Sequence, residues 1–175
     1  MISRLHNARH WVFDLDGTLT LAIHDFPAIR RALDIPPEDD ILHHLAALPT
    51  AQANAKHAWL LEHEQQLAQA AQPAPGAVQL VRSLAERGCR LGILTRNARP
   101  LAQLTLAAIG LGDCFAEVDI IGRDEASPKP DPAGLLQFVQ SWQVPAAALV
   151  MVGDYCFDLQ CARAAGSTSV LVNLS

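Results

Sequence analysis

Short apolar runs recur along the chain, and each is followed by polar or glycine residues. Runs of this length bounded by turn residues are typical of strands that are buried on both faces of a sheet. The first run is interrupted by Asp14 and ends in the turn residues Asp16, Gly17 and Thr18. The runs predict five strands, at Trp11–Leu15, Leu91–Leu94, Val118–Ile121, Leu149–Val152 and Ser169–Val172.

Segments with apolar residues at helical spacing lie between these strands. One of them, Pro132–Trp142, follows Asp131, which is a favourable residue for capping a helix whose first position is proline. Strands that alternate with helices of this length predict an α/β fold, a Rossmann-like parallel sheet with helices on both faces. The other predicted helices of this region are Ala77–Leu84, Pro100–Ile109 and Cys156–Ala165, each followed by glycine.

The alternation is interrupted between residues 21 and 72, where only helical patterns occur. Asp25 precedes Phe26 and Pro27 and indicates a helix start, and Ala51–Gln72 is one long helical segment. We therefore predict two parts. Residues 1–20 and 73–175 form the α/β core domain, and residues 21–72 form a small helical cap domain inserted after strand one.

Composition and charge restrict the possible partners. The chain has 175 residues, of which 50% are hydrophobic and 18% charged, as expected of a globular protein. Its formal net charge of -5 provides no positive surface for nucleic acid or an anionic membrane. The four cysteines show no CxxC spacing, and there is no apolar run long enough to span a bilayer. We expect a cytoplasmic protein, a monomer or weak homodimer.

Polar residues gather directly after four of the predicted strands. Asp14–Thr18 follows the first strand and Thr95–Asn97 the second, while Lys129 lies beyond the third. Asp154 and Asp158 follow the fourth strand. In an open parallel sheet, ligands bind at the edge formed by the carboxyl ends of the strands. These side chains are therefore expected to form one site.

In this order the segments resemble the four motifs of the haloacid dehalogenase superfamily. The motif DxDGT is matched at Asp14–Thr18, the threonine that ends strand two at Thr95, the lysine at Lys129, and GDxxxD at Gly153–Asp158. DxDGT and GDxxxD are the specific motifs, since a lone threonine or lysine carries little information. The resemblance covers the whole chain, with residues 21–72 in the place of the small helical cap of the family.

This resemblance implies a phosphatase that forms a covalent aspartyl-phosphate on Asp14. Asp16 is then the general acid that protonates the leaving oxygen and the base that later deprotonates water. The family pattern assigns Asp14, the backbone carbonyl of Asp16 and Asp154 to a magnesium ion, with Asp158 close behind them. Thr95 and Lys129 are the remaining catalytic residues implied. The phosphate-binding residues implied are Asp14, Leu15, Asp16, Thr95, Arg96 and Lys129, Leu15 and Asp16 through turn amides.

Charge also favours a metal at such a site. The four aspartates and a phosphate dianion would face Lys129 as their cation, and each like-charge contact at 4 Å costs about 4 kcal/mol at an effective dielectric of 20. A hard divalent cation relieves this repulsion. Mg²⁺ suits a site made of oxygen ligands because it accepts one or two carboxylates, a phosphate oxygen and water.

The acid at Asp16 narrows the choice of activity, because the dehalogenases and phosphonatases of the superfamily lack an acid there. The chain is most similar to the phosphoglycolate phosphatase branch, which implies a small phosphorylated metabolite as substrate. Two alternatives stay open. One is a phosphomutase of the β-phosphoglucomutase type, which uses the same catalytic residues. The other is a non-enzymatic phosphate-binding module.

Several cap residues are candidates for substrate contacts. Arg30 and Lys56 are the candidate cations for a substrate carboxylate, with ordinary surface charge as the alternative. His24 and Asp25 follow the first connection to the cap and are candidates for the cavity. Asn97 either lines the site or only opens the next helix. The remaining cap histidines are expected to be solvated: His43, His44, His57 and His63.

Overall fold

A five-stranded parallel sheet forms the centre of the protein, as seen in a computed structural model that describes residues 2–22 and 25–172. The strands are β1 (His10–Phe13), β2 (Arg90–Leu94), β3 (Ile120–Ile121), β4 (Leu149–Gly153) and β5 (Thr168–Leu171). Their order in the sheet is β3-β2-β1-β4-β5. In the central register, His10 lies opposite Arg90 on one side and Leu149 on the other. This arrangement confirms the predicted Rossmann-like sheet.

The helices are α1 (Ile2–Asn7), α2 (Phe26–Ala32), α3 (Ile41–Ala46), α4 (Thr50–Gln69), α5 (Ala77–Glu86), α6 (Arg99–Ala108), α7 (Ala133–Trp142) and α8 (Cys156–Ala165). Helices cover both faces of the sheet because successive residues of the central strands are apolar and point to opposite sides. Trp11 and Phe13 pack in one apolar cluster with residues of α5 and α6. Val12 packs in a second cluster with residues of α7 and α8.

Several predicted boundaries are wrong by one to three residues. The first strand ends at Phe13 rather than at Leu15, and the long helix of the inserted segment ends at Gln69 rather than at Gln72. The third strand begins at Ile120 rather than at Val118, because Glu117–Asp119 forms a single 3₁₀ turn that leaves Val118 77% exposed. Helix α7 begins one residue later than predicted, with Pro132 at the cap position. The Asp131 carboxylate still accepts the hydrogen bond of an early helix amide, that of Ala133, at 2.8 Å.

Helices α2, α3 and α4, called the cap helices below, lie between β1 and α5. They share an apolar cluster of their own, which is separate from the two clusters at the sheet. Asp25 caps α2 as predicted, because its side chain accepts a hydrogen bond from the Ala28 amide at 2.9 Å. The fully or mostly buried members of the cluster are Ile29, Leu33, Ile35, Leu45 and Leu60.

The two chain segments that connect the cap helices to the sheet run side by side. The Leu21 amide donates to the Gln72 carbonyl at 3.0 Å, and the Ala74 amide donates to the Leu19 carbonyl at 2.9 Å. The division of the chain into a core domain and a cap domain stays a prediction. Among the described residues, no helix has the length and apolar composition needed to cross a membrane.

Candidate active site

The turn after β1 brings the two aspartates of the first motif to the carboxyl edge of the sheet. The Asp14 amide still donates to the Val152 carbonyl of β4 at 2.8 Å, so Asp14 is held at the end of the strand. The chain then turns through Gly17, whose φ of 81° lies in the left-handed region that favours glycine. The Leu15 side chain is fully buried in the core. Leu15 would therefore bind a phosphoryl group only through its backbone amide.

Three carboxylates and one lysine converge at this edge. One oxygen from each of Asp14, Asp154 and Asp158 lies within 4.8 Å of the others. The Lys129 ammonium donates to Asp14 Oδ1 at 2.5 Å and to Asp158 Oδ1 at 2.7 Å. Lys129, Asp14 and Asp158 are all buried. The structure therefore brings together side chains from the ends of β1 and β4, from the first turn of α8 and from the loop after β3.

Two glycines allow these carboxylates to approach the backbone. A Cβ at Gly153 would lie 2.2 Å from Cγ of Asp158, and a Cβ at Gly17 would lie 2.5 Å from Oδ2 of Asp154. Neither distance is compatible with a real side chain. Thr18, the last residue of the first motif, donates its hydroxyl to Oδ1 of Asp154 at 2.9 Å. The glycines and this threonine therefore determine where the aspartates lie.

Burial raises the pKa of Asp14 and of Asp158, although the Lys129 ammonium opposes the shift at both carboxyls. Burial also disfavours the charged form of Lys129, but Asp14 and Asp158 outweigh it and raise the pKa of the lysine. Lys129 is therefore charged, while the carboxylates around it are only partly compensated. Additional positive charge near them would lower their pKa values.

Asp16 lies beside this cluster in a half-buried position. Burial, followed by the charge of Asp14, raises the pKa of Asp16 to about 7. The Asn97 side-chain amide donates to Asp16 Oδ2 at 2.6 Å. The Asn97 backbone amide donates to the Thr95 hydroxyl at 3.1 Å. Asn97 therefore connects the end of β2 to the carboxyl group that has a pKa near neutrality.

A cavity of about 400 Å³ opens above this edge. Asp14, Asp16, Lys129, Asp154 and Asp158 line its floor together with Thr95. The cap helices and the loops around them contribute the opposite wall, which is partly apolar. That wall includes Phe26, Ile29, Arg30, Asp40, Ile41, Leu42, Leu60 and Glu64.

Two ion pairs at the cavity connect the cap helices to the loops at the sheet edge. The Arg123 guanidinium donates to both carboxylate oxygens of Glu64, each at 2.9 Å. Arg96 donates to Oδ2 of Asp40 at 2.6 Å, and its guanidinium lies 5.5 Å from the centre of the Phe157 ring. Burial alone would raise the pKa of Asp40, but the hydrogen bonds from Arg96 and from the His43 amide, together with the charge of Arg96, outweigh it and lower that pKa.

Sequence reasoning did not single out Arg123, Glu64 or Asp40, and it left the role of Asn97 open. Arg123 had one usable signal, since it directly follows the glycine that ends the third predicted strand. Glu64 had none, because it is one of several polar residues on a long alanine-rich helix.

The other cap candidates lie at different places. Arg30 lines the cavity, whereas Lys56 does not, and the Lys56 ammonium donates to the Leu33 carbonyl. Asp25 does not line the cavity either, and His24 lies outside the described residues. Within the described part of the chain, none of the four remaining cap histidines lines the cavity: His43, His44, His57 and His63.

The three clustered carboxylates suit a hard cation. Their oxygens lie close enough together to share one ion, and oxygen is the ligand atom that magnesium and calcium prefer. Burial raises the pKa of Asp14 and of Asp158 because it disfavours their charged forms, and a bound cation would favour those charged forms. The residues present therefore fit a divalent metal.

Comparison with known proteins agrees with this arrangement. Residues 9–166 match the haloacid dehalogenase-like hydrolase family. A phosphoglycolate phosphatase of Rhodospirillum rubrum is 32% identical over 193 residues, a match that covers 93% of this chain and 78% of that protein. A hydrolase of Saccharomyces cerevisiae is 31% identical, with 92% of this chain and 75% of that protein covered.

Solved structures show the same fold. A hydrolase from Pseudomonas syringae superposes with a TM-score of 0.73 and 26% identity, covering 94% of this chain and 83% of that chain. A subfamily IA hydrolase of the superfamily from Geobacter sulfurreducens superposes with a TM-score of 0.65 at 18% identity, covering 94% of this chain and 89% of that chain. The match along most of the sequence confirms the resemblance noted from the motifs, and the chain belongs to the haloacid dehalogenase-like hydrolase family.

Proposed function

We propose that this hydrolase is a magnesium-dependent phosphatase that acts on a small phosphorylated metabolite, in the manner of phosphoglycolate phosphatase. One observation carries the proposal. The carboxylates of Asp14, Asp154 and Asp158 lie together on the floor of a cavity, and the Lys129 ammonium is bonded to Asp14 and Asp158. Beside them lies Asp16, whose pKa is about 7. A nucleophile, cation-binding groups and a proton donor therefore lie together.

In the first step, a carboxylate oxygen of Asp14 attacks phosphorus while the bond from phosphorus to the leaving oxygen breaks. Asp16 gives its proton to that oxygen, so that an alcohol leaves and an aspartyl-phosphate stays on Asp14. A pKa of about 7 keeps much of Asp16 protonated at neutral pH, whereas an ordinary aspartate would be ionised. Proton donation at this point prevents the build-up of negative charge on the leaving oxygen.

In the second step, Asp16 takes a proton from a water molecule that attacks the phosphorus of the aspartyl-phosphate. The bond from phosphorus to Asp14 breaks, inorganic phosphate leaves, and the Asp14 carboxylate is regenerated. Lys129 and the Thr95 hydroxyl hold phosphoryl oxygens in both steps. Dividing the reaction in this way replaces one difficult displacement with two easier ones.

Asp14 and Asp154, with the backbone carbonyl of Asp16, would hold the magnesium ion. When bound, Mg²⁺ supplies positive charge that stabilises the phosphoryl oxygens in the transition state. Asp158 is bonded to Lys129, and its second oxygen accepts from the Tyr155 amide at 3.0 Å. Asp158 therefore holds the lysine in place beside the nucleophile.

The relatives support the choice of substrate class. Several curated relatives bear the name phosphoglycolate phosphatase, among them the Rhodospirillum rubrum protein. A cavity of about 400 Å³ suits a small molecule. We therefore infer a phosphomonoester of a few carbon atoms as the substrate.

Phosphate release from p-nitrophenyl phosphate and from 2-phosphoglycolate tests the proposal. Both should require Mg²⁺, stop on addition of EDTA, and be abolished by Asp14→Asn. Asp124→Asn is the matched control, since Asp124 is exposed and lies outside the cavity. A phosphoprotein that reacts with hydroxylamine should form in the wild type and not in Asp14→Asn.

Two results would contradict the proposal. Unchanged turnover in Asp14→Asn would exclude catalysis by this site. Conversion of a sugar 1-phosphate into an isomeric sugar phosphate, without release of inorganic phosphate, would indicate a mutase instead.

A further inference from the structure

Three arginines line the cavity in addition to Lys129: Arg30, Arg96 and Arg123. Arg123 is paired with Glu64 and Arg96 with Asp40. Arg30 differs from both, because no carboxylate within the described part of the chain lies at ion-pair distance from it. Away from the floor, the cavity lining therefore has three arginines and two carboxylates, Asp40 and Glu64, and Arg30 is the arginine that they do not pair with.

Arg30 is held in place by the cap helices. Its Nε donates to the Asp39 carbonyl at 3.0 Å, and its neighbour Ile29 is buried in the apolar cluster of the cap helices. Among the described residues, its two terminal nitrogens have no hydrogen-bond partner. A guanidinium whose Nε is already bonded presents these two nitrogens as a planar pair, which matches the two oxygens of a carboxylate.

A second observation in the same cavity points to an anionic ligand. The Nε of Arg96 is buried and has no hydrogen-bond partner in the described part of the chain. Buried donors nearly always have a partner, because a buried donor without a hydrogen bond costs free energy. An acceptor group in the cavity would supply it.

We propose that Arg30 binds a carboxylate of the substrate, which makes small phosphomonoesters with a carboxylate near the phosphate the substrate class. This assignment rests on the proposed phosphatase activity. A single negative charge balances the one uncompensated arginine, whereas a second phosphate dianion would exceed it. The apolar side chains of Ile41 and Leu42 on the same wall leave little solvation for a group of higher charge.

The test compares 2-phosphoglycolate with ethyl phosphate, which has a methyl group in place of the carboxylate. The wild type should have a higher kcat/KM for 2-phosphoglycolate. Arg30→Gln should lower that value about 10- to 100-fold, the effect of one hydrogen bond to a charged group, and leave ethyl phosphate hydrolysis unchanged. Arg30→Lys keeps the charge but not the planar pair of nitrogens, so its kcat/KM for 2-phosphoglycolate should lie between those of the wild type and Arg30→Gln.

Arg31→Gln is the matched control. Arg31 is the next residue of α2, is exposed and lies outside the cavity, so both substrates should be hydrolysed as by the wild type. Urea unfolding of Arg30→Gln reports whether the cap helices stay folded. An equal loss of kcat/KM on both substrates in Arg30→Gln would show that Arg30 only supports the fold, and would overturn the assignment.

The remaining outcomes separate this assignment from the proposed function. A wild type that hydrolyses ethyl phosphate as well as 2-phosphoglycolate, or an Arg30→Gln variant with unchanged preference, would overturn the role of Arg30 alone. If a bisphosphorylated diol were preferred to 2-phosphoglycolate and its hydrolysis depended more strongly on Arg30, then Arg30 would bind a second phosphate and not a carboxylate. A wild type with no hydrolysis of any of these esters would overturn the proposed function, and this assignment with it.

Discussion

The ion pair between Glu64 and Arg123 joins α4 to the segment after β3, and removing its charge should destabilise the protein. The Glu64 side chain is 9% exposed and the Arg123 side chain 17%. Glu64→Gln preserves the size of the side chain but removes its charge and one acceptor oxygen. Arg123 then has no counter-charge in a position that water reaches only in part.

The size of the effect follows from this partial burial. Breaking a fully buried pair costs about 3–5 kcal/mol because the remaining charge stays uncompensated. An exposed pair contributes about 0–1 kcal/mol. The Arg123–Glu64 pair is nearer to the first case, with two good hydrogen bonds of 2.9 Å. We expect Glu64→Gln to lower the free energy of unfolding by about 2–3 kcal/mol.

Urea unfolding monitored by circular dichroism measures this loss. Glu62→Gln is the matched control, because Glu62 lies on the same helix one half-turn earlier and is exposed. It should change the free energy of unfolding by less than about 0.5 kcal/mol. The double variant Glu64→Leu with Arg123→Met should recover most of the loss, since apolar side chains leave no uncompensated charge.

Equal losses for Glu64→Gln and Glu62→Gln would show that the pair behaves like a surface ion pair, and would refute the reasoning. A double variant that is no more stable than Glu64→Gln would refute the role of the uncompensated arginine. In that case, apolar contacts of α4 would carry its attachment to the sheet edge.

Asp16, Asn97 and Gly153 provide three further predictions. In the metal-free protein, the raised pKa of Asp16 means that the folded form binds this proton more tightly than the unfolded form does. The resulting stability is fully present below the ordinary pKa of 3.8 and is lost as the pH rises to about 7. Urea titrations across this range should therefore show a steeper decline in the wild type than in Asp16→Asn, and parallel profiles would contradict this. Asn97→Ala removes the 2.6 Å hydrogen bond to Asp16 and should lower kcat for ethyl phosphate about tenfold. The effect on kcat for p-nitrophenyl phosphate should be smaller, because its leaving group needs no proton. Equal effects on the two esters would exclude a role of Asn97 in proton transfer. Gly153→Ala places a Cβ 2.2 Å from Cγ of Asp158, which should lower the free energy of unfolding by about 1–3 kcal/mol and abolish the phosphatase activity. Gly112→Ala is the control and should change neither, because its Cβ would make ordinary contacts from 3.5 Å. Normal turnover by Gly153→Ala would show that the position of Asp158 does not matter.

Much of the fold and of the floor of the site could be predicted because local patterns specify them. Apolar runs placed β1, β2 and β4, and parallel strands bring the residues after them to one edge of the sheet. Asp14 and Asp154 therefore meet although they are far apart in sequence. The third strand was placed too early because Val118 has the composition of a strand residue, while its side chain is in fact exposed beside a 3₁₀ turn.

The upper part of the cavity could not be predicted in the same way. Glu64 and Arg123 are 59 residues apart, and Asp40 and Arg96 are 56 apart. Each pair depends on how the cap helices pack against the sheet edge, and no periodic pattern along the chain encodes that packing. Arg30 was a candidate on charge alone, and its distinction from Lys56 became visible only from the cavity lining.

The environment of Asp16 connects the packing of the site to its proposed chemistry. One carboxyl group must donate a proton in the first step and accept one in the second, so both of its protonation states must be populated near the working pH. A solvent-exposed aspartate would be ionised at neutral pH and could only accept. Burial and the neighbouring charge of Asp14 move the pKa of Asp16 to about 7, where both states are available. Burial at this edge of the sheet, together with the charge of the neighbouring Asp14, is therefore what prepares Asp16 for both roles.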